Sequence, residues 1–270
     1  MRNAENLLHR LPSLPTVAVR LLGMIGRPDV NLKEISNLIV SDAALSVEIM
    51  RMSNSAMFSA RSEVRNILQA LAILGSEKVK GLACTVALRS YLGNALQIPA
   101  LKRCWRHNLA TAVVSAEIAD WAREDSGEAY TAGILHDIGR LGLIAADPAR
   151  YLQLLEKAAV HGGDLCDHER ETYGLDHTAA GEWLATSWGL PVFIRDTIRD
   201  HHQLPLNGLI CHGCSIADSL GFPVLESHEL TDTPIQEFLG LLPPAQRDRL
   251  NIKVPELHIL IASRVNALEV

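Results

Sequence analysis

Residues 132–140 read Ala132-Gly133-Ile134-Leu135-His136-Asp137-Ile138-Gly139-Arg140, a run of small and aliphatic residues that ends in an adjacent imidazole and carboxylate. Apolar positions recur there at spacings of three and four, the helical period, and the same period holds in nearly every segment between glycines and prolines. No segment alternates apolar with polar residues as a half-buried strand would. The expected fold class is therefore all-α. Placing His136 and Asp137 inside so apolar a run is costly unless both find strong partners, and a metal cation is the strongest available.

Outward from this stretch, helix starts and stops follow the usual chemistry. Pro15 opens a helix expected over 16–25, Asp147-Pro148 supplies an N-cap with proline at the first helical position, and Pro191 opens a helix over 192–202. Gly75, Gly93, Gly174, Gly189 and Gly221 stand where helices should end. The pattern loosens over 93–99, which divides the chain into an N-terminal helical subdomain (1–95), a larger helical subdomain (96–228) and a C-terminal helical tail (229–270). With 270 residues, 48% hydrophobic but only 4% aromatic, the core must be built from Ala, Leu, Ile and Val.

Composition also excludes classes of function. The net charge of −6 is spread without a basic block, so a surface for duplex nucleic acid is not expected, and few rings are available to stack bases. No run of eighteen apolar residues and no signal peptide is visible, so neither a membrane span nor secretion is expected. The five cysteines, an odd number at unpatterned spacings, point to a reducing cytoplasm.

Eleven histidines in an aromatic-poor chain invite the question of placement. His107 lies on a helix whose apolar face continues through Val113, Val114 and Ile118. His177 begins a helix after Asp176, His201-His202 close the next one, and Asp218 sits in Ser215-Ile216-Ala217-Asp218-Ser219. Each alone reads as a boundary histidine or a solvated helix residue. Together with His136 and Asp137 they make five His and two Asp, the donor count that two adjacent divalent ions require. Mixed imidazole and carboxylate ligation suits iron or manganese, with zinc, nickel or cobalt as alternatives, and disfavours calcium. Two such cations against two carboxylates leave a positive site that welcomes a bridging hydroxide and an anionic phosphate.

His9, His161, His168, His212, His228 and His258 show no partner pattern; His168 is the one nearest to the set, in Asp167-His168-Glu169-Arg170. Cys211-His212-Gly213-Cys214 is a lone Cys-x-x-Cys on an expected helix, read as part of that helix, with a metal or redox role as the alternative.

In the N-terminal half, Leu11-Pro12-Ser13-Leu14-Pro15, Ser41-Asp42-Ala43-Ala44-Leu45, Met52-Ser53-Asn54-Ser55-Ala56 and Ala70-Leu71-Ala72-Ile73-Leu74-Gly75 follow in order. Caps and turns account for them: Asp42 as N-cap, Asn54-Ser55 as a helix-ending turn, Gly75 as C-cap. Their order nevertheless resembles the N-terminal half of the HDOD family, the HD-related output domains of bacterial signalling proteins. The resemblance is stronger over 100–221, where Glu171-Thr172-Tyr173-Gly174-Leu175-Asp176-His177, Trp188-Gly189-Leu190-Pro191 and His201-His202 resemble the HDOD form of the HD metal-dependent phosphohydrolases. It implies an HD-like helical bundle in which His107, His136, Asp137 and Asp218 hold one metal. Asp137 would bridge to a second metal held by His177, His201 and His202.

The chain departs from the related HD-GYP phosphodiesterases in two places. His202-Gln203-Leu204-Pro205-Leu206 stands where a Gly-Tyr-Pro signature would follow, and Arg140 stands where a lysine would be. Cyclic dinucleotide hydrolysis is thus not expected. The resemblance implies a bacterial signal-transduction module with a dinuclear site and a signalling protein as partner. The alternative is a metal-dependent phosphohydrolase acting on a nucleotide or phosphate ester, with Asp137 and Arg140 as its catalytic residues. A helical scaffold with a vestigial site is the third reading.

Overall fold

The computed structural model describes residues 7–9, 11, 14–24, 27, 30–54, 63–202, 208–225, 233–251 and 254–269. Every regular element among them is helical. The N-terminal half contains α1 (Thr16–Leu22), α2 (Leu32–Val40), α3 (Ala43–Ser53), α4 (Ile67–Leu74) and α5 (Ser76–Leu92). A 3-10 helix (Gly93–Gln97) then leads into α6 (Pro99–Ala122), α7 (Ser126–Leu135), α8 (Ile138–Ala146), α9 (Pro148–His161), α10 (Leu165–Tyr173), α11 (His177–Ser187), α12 (Val192–Asp200) and α13 (Leu209–Ser219). After these come α14 (Thr233–Leu241), α15 (Pro244–Asn251) and α16 (Val254–Glu269).

Short polar side chains start seven of these helices by accepting the backbone N–H groups that the first turn leaves unpaired. Asn31, Asp42, Asn66, Asp125, Asp147, Asp164 and Asp176 all do so. Gly75, Gly93 and Gly174 close α4, α5 and α10 at positive φ. Asn54 ends α3 and fastens it to the next segment, donating to Val64 O at 2.8 Å and accepting from Val64 N at 2.8 Å; Ser55 lies outside the described residues. Two expected helices end early. α1 stops at Leu22 because Gly23 and Met24 tighten into a turn, their N–H groups bonding Val19 O and Leu21 O. α12 stops at Asp200, which leaves His201 and His202 in the turn beyond it.

Buried aliphatic residues from Leu8 to Leu268 form one continuous core. α6 is its axis: α7 and α13 pack along it, α16 lies against it, and α5 packs on α7. Lys102 and Arg106 on α6 pair with Glu269 at 3.1 and 3.2 Å. In the N-terminal half the buried Lys80 of α5 donates to Met24 O at 2.7 Å and pairs with Glu77 at 2.6 Å, tying the end of α1 to α5. No helix among the described residues is long and apolar enough to cross a membrane.

Two glycines set the helix spacing around the His136-Asp137 junction. A Cβ on Gly139 at the start of α8 would lie 2.0 Å from His177 O and 2.3 Å from Gly181 N of α11. A Cβ on Gly213 of α13 would lie 2.1 Å from Ser115 Oγ of α6. Gly139 faces backbone atoms, so no side chain fits there unless a helix moves, whereas at Gly213 the Ser115 side chain would have to turn away. Gly139→Ala is expected to destabilise the protein by at least about 1–3 kcal/mol, the cost of overpacking, read as a lower thermal midpoint. A change under about 0.5 kcal/mol, the range of an unconstrained surface site, would contradict this account of the α8–α11 contact.

Candidate metal centre

The site is assembled from helix ends. His107 projects from the middle of α6; His136 and Asp137 form the two-residue junction between α7 and α8; His177 is the first residue of α11; His201 and His202 follow α12; Asp218 lies near the end of α13. Asp137 has φ −101° and ψ 23°, a sparsely populated conformation that turns the chain sharply from α7 into α8. Asp176 caps α11 through Ala179 N at 2.9 Å and is held by Arg170 at 2.6 Å, which fixes where His177 emerges. His107, His136, Asp137, His177 and His201 are buried, whereas His202 is exposed and marks the open side.

Hydrogen bonds on the far side of each ring decide which nitrogen faces inward. His136 Nδ1 lies 2.7 Å from Gly133 O, His201 Nδ1 2.8 Å from Ile198 O and His107 Nδ1 2.9 Å from Phe222 O. A carbonyl only accepts, so each Nδ1 carries the proton and each Nε2 presents a lone pair. His177 Nδ1 donates in the same way to Glu169 Oε2 at 2.6 Å, and the same oxygen accepts His177 N–H at 2.8 Å. Burial keeps the His136 and His201 imidazoles neutral, pushing both below the ordinary histidine range.

Those lone pairs converge. His177 Nε2 is 3.3 Å from His201 Nε2 and 2.9 Å from His202 Nε2, and Asp137 Oδ1 is 3.2 Å from both His177 Nε2 and His201 Nε2. Asp137 Oδ1 is buried and receives no hydrogen bond. Ligands about 2.1 Å from one ion stand roughly 3.0–3.4 Å apart in tetrahedral or octahedral arrangements. The spacing and the unpartnered oxygen both fit a divalent transition metal held by Asp137, His177, His201 and His202.

Behind this face lies a buried charge network. Arg140 Nη1 donates to Asp137 Oδ2 at 2.7 Å, Arg140 Nε lies 3.4 Å from Glu169 Oε1, and Tyr151 OH donates to the same Glu169 oxygen. Burial alone would raise the Asp137 carboxyl, but the Arg140 guanidinium beside it outweighs burial and holds it well below the usual carboxylate range. Glu169 is likewise held at about 2 against its burial, by His177 and Arg140. Both carboxylates are ionised and a single guanidinium faces them, an excess of buried negative charge that a cation would offset.

The seven expected ligands are not equivalent in the structure. Asp137, His177, His201 and His202 form one group, and His107 and His136 face each other at Nε2–Nε2 3.3 Å in an adjacent one. Asp218 joins neither: its carboxylate stands 3.0 Å from His107 Nδ1, on the side of the ring away from His136. Asp137 Oδ2 accepts from Arg140 Nη1 at 2.7 Å and stands 3.9 Å from His136 Nε2. Nor does Arg140 face the open side as an anion receptor; it is buried, with Nη1 on Asp137, Nε on Glu169 and Nη2 against the His177 ring, 2.9 Å from Nδ1 and 3.2 Å from Nε2.

Glu169 and Tyr151 are functional neighbours that the reading of motifs passed over. The signal for Glu169 was present in its helical spacing, since Cys166, Glu169 and Tyr173 share the buried face of α10. His168, one residue away, is half-buried and bonds Gly162 O, apart from the site. His9 packs on Trp183 and His212 on Phe238, while His161 and His258 are exposed. His228 lies outside the described residues.

The HDOD domain family model matches residues 11–204. The chain belongs to the HDOD family. Over 201 residues this HDOD chain is 28% identical to an uncharacterised protein of Treponema pallidum, a match that covers 72% of this chain and 38% of that longer relative. Among solved structures it is similar to a protein of Shewanella amazonensis named "Putative phosphohydrolase", with TM-score 0.73, 22% identity and coverage of 96% of this chain and 97% of that one. It is also similar to a "Putative signal transduction protein" of Marinobacter aquaeolei, with TM-score 0.74 and 20% identity, covering 100% of this chain and 62% of that one. At these identities the structural likeness establishes the HDOD helical fold.

Glu169→Gln removes a buried negative charge from beside Arg140 and His177, and is expected to destabilise the protein by about 3 kcal/mol or more. Tyr151→Phe removes one hydrogen bond and is expected to cost about 1 kcal/mol. Urea unfolding of the two variants checks the order; equal losses would mean that Glu169 is not the anchor of the network.

Proposed function

We propose that this HDOD protein is a bacterial signal-transduction module whose HD-like half binds divalent transition metal, with iron or manganese favoured and zinc, nickel or cobalt as alternatives. The observation that carries the reading is the convergence of three histidine nitrogens on the unpartnered Asp137 Oδ1, at separations that a common ion sets. Asp137 lies at the α7–α8 junction, His177 at the start of α11 and His201-His202 at the end of α12. An ion held there joins separate elements, so its presence or loss is felt in their packing. Such coupling supplies what a signalling domain needs, an input that alters the surface shown to a protein partner.

When bound, a metal in this position supplies Lewis acidity and lowers the pKa of a coordinated water. The residues of the chain prepare for it: Glu169 orients His177, backbone carbonyls orient His136 and His201, and Arg140 keeps Asp137 ionised and aimed. Hydrolysis of a nucleotide or phosphate ester is the alternative. It is disfavoured because the one cation against Asp137 is buried and already committed, which leaves the phosphate without the guanidinium that the resemblance implied.

Metal at about 100 times its dissociation constant is expected to stabilise the protein by about 2.7 kcal/mol, a thermal midpoint rise of roughly 5–10 °C, and Asp137→Ala is expected to abolish the rise. Phosphate monoesters, nucleotides and cyclic dinucleotides screened with metal-loaded protein should show no turnover that depends on Asp137. Absence of the thermal shift would overturn the metal reading, and Asp137-dependent turnover would replace the signalling module by the hydrolase.

A further inference from the structure

The second pair of facing imidazoles has a third member that is not a carboxylate. His107 Nε2 and His136 Nε2 are 3.3 Å apart, and the Sγ of Cys214 on α13 lies 3.5 Å from His107 Nε2. Both rings donate their Nδ1 protons to backbone carbonyls, which in the neutral rings turns the two buried Nε2 lone pairs toward each other, with Thr111 Oγ1 3.5 Å from His107 Nε2; a cation between the rings would satisfy both. For a zinc-like ion with nitrogen ligands about 2.0–2.1 Å away and sulfur about 2.3 Å away, a tetrahedral arrangement puts the nitrogens about 3.3–3.4 Å apart and sulfur about 3.6 Å from nitrogen. The His107–His136 and His107–Cys214 separations match these figures, and the three donor atoms all lie within 4.8 Å of one another.

We propose that His107, His136 and Cys214 form a thiolate-bearing metal position beside the Asp137 set, selective for a borderline-soft divalent ion such as zinc. The inference rests on the reading of the neighbouring Asp137 cluster as a metal centre and extends it to a site of different chemistry. Thiolate ligation favours zinc over the harder manganese, so the two positions would differ in metal preference. Asp218, 3.0 Å from His107 Nδ1, then acts on the ring and not on the ion, raising the basicity of the nitrogen that binds.

The contact that seats Cys214 is built into the helix packing. Gly213 lets α13 approach α6 until a Cβ there would sit 2.1 Å from Ser115 Oγ, which brings the next residue beside His107. Cys166, by contrast, lies 3.9 Å from His177 Nδ1, and that nitrogen donates its proton to Glu169. It meets an N–H and not a lone pair, which excludes it as an equivalent ligand. The fourth corner of the proposed tetrahedron is left for solvent or a small anion.

The test is anaerobic titration of the metal-stripped full chain with cobalt(II), read by metal content and by the near-ultraviolet charge-transfer band that thiolate–cobalt bonding produces. Wild type is expected to bind about two equivalents and to show the band. Cys214→Ser should lose the band and one equivalent with the helical circular dichroism retained. Cys166→Ser should keep both, and His201→Ala should lose an equivalent but keep the band. Cobalt bound without the band, or a band that survives Cys214→Ser, overturns the thiolate position and leaves the Asp137 centre standing; no cobalt bound removes both. If Cys214→Ser does not fold, alkylation of wild type with and without zinc decides. Zinc should protect Cys214 and leave Cys211 reactive, and equal labelling of Cys214 in both states overturns the proposal.

Discussion

The arrangement depends on hydrogen bonds made away from the site. A neutral imidazole has one lone pair to give, and a group that accepts from Nδ1 commits it to Nε2. Gly133 O, Ile198 O, Phe222 O and Glu169 make that commitment for His136, His201, His107 and His177. Because the carbonyls belong to helix ends and the turns after them, the inward aim of the rings is a property of the backbone. Alter the register of α7 or α12 by one residue and the lone pair no longer points to the centre.

The buried charges follow the same logic. Two ionised carboxylates in an aliphatic core would be intolerable alone. Arg140 spans both, its planar fork reaching Asp137 with one nitrogen and Glu169 with another, and Tyr151 fills a remaining acceptor position. The cation that a phosphate-binding reading assigns to substrate is thus engaged in keeping a ligand ionised. Its burial, and not its identity, decides this.

Local chemistry made much of the molecule legible beforehand. Asp42, Asp147 and Asp176 cap helices, and Gly75, Gly93 and Gly174 end them, because unpaired backbone groups and positive φ impose those residue types wherever they occur. The His136-Asp137 pair stood out because a polar dipeptide in an apolar helix end needs a partner. Glu169 and Cys214 did not stand out. A glutamate in Asp-His-Glu-Arg and a cysteine in a lone Cys-x-x-Cys have many ordinary roles, and what distinguishes these two is the ring each faces, 8 and 107 residues away in the chain.

The amino-acid sequence by itself determined that the protein is all-α, where several helices begin and end, and that His136 and Asp137 need strong polar partners, since these follow from periodicity, caps and the cost of burying polar groups. Only the tertiary structure decided how the donors are divided. Asp137 gives one oxygen to the histidine cluster and the other to Arg140, Asp218 stands behind His107, and Cys214 stands in front of it. The reason is directional: composition and spacing report which side chains meet, whereas ligation depends on which lone pair faces which atom, and that is set by helix crossings as close as those at Gly139 and Gly213.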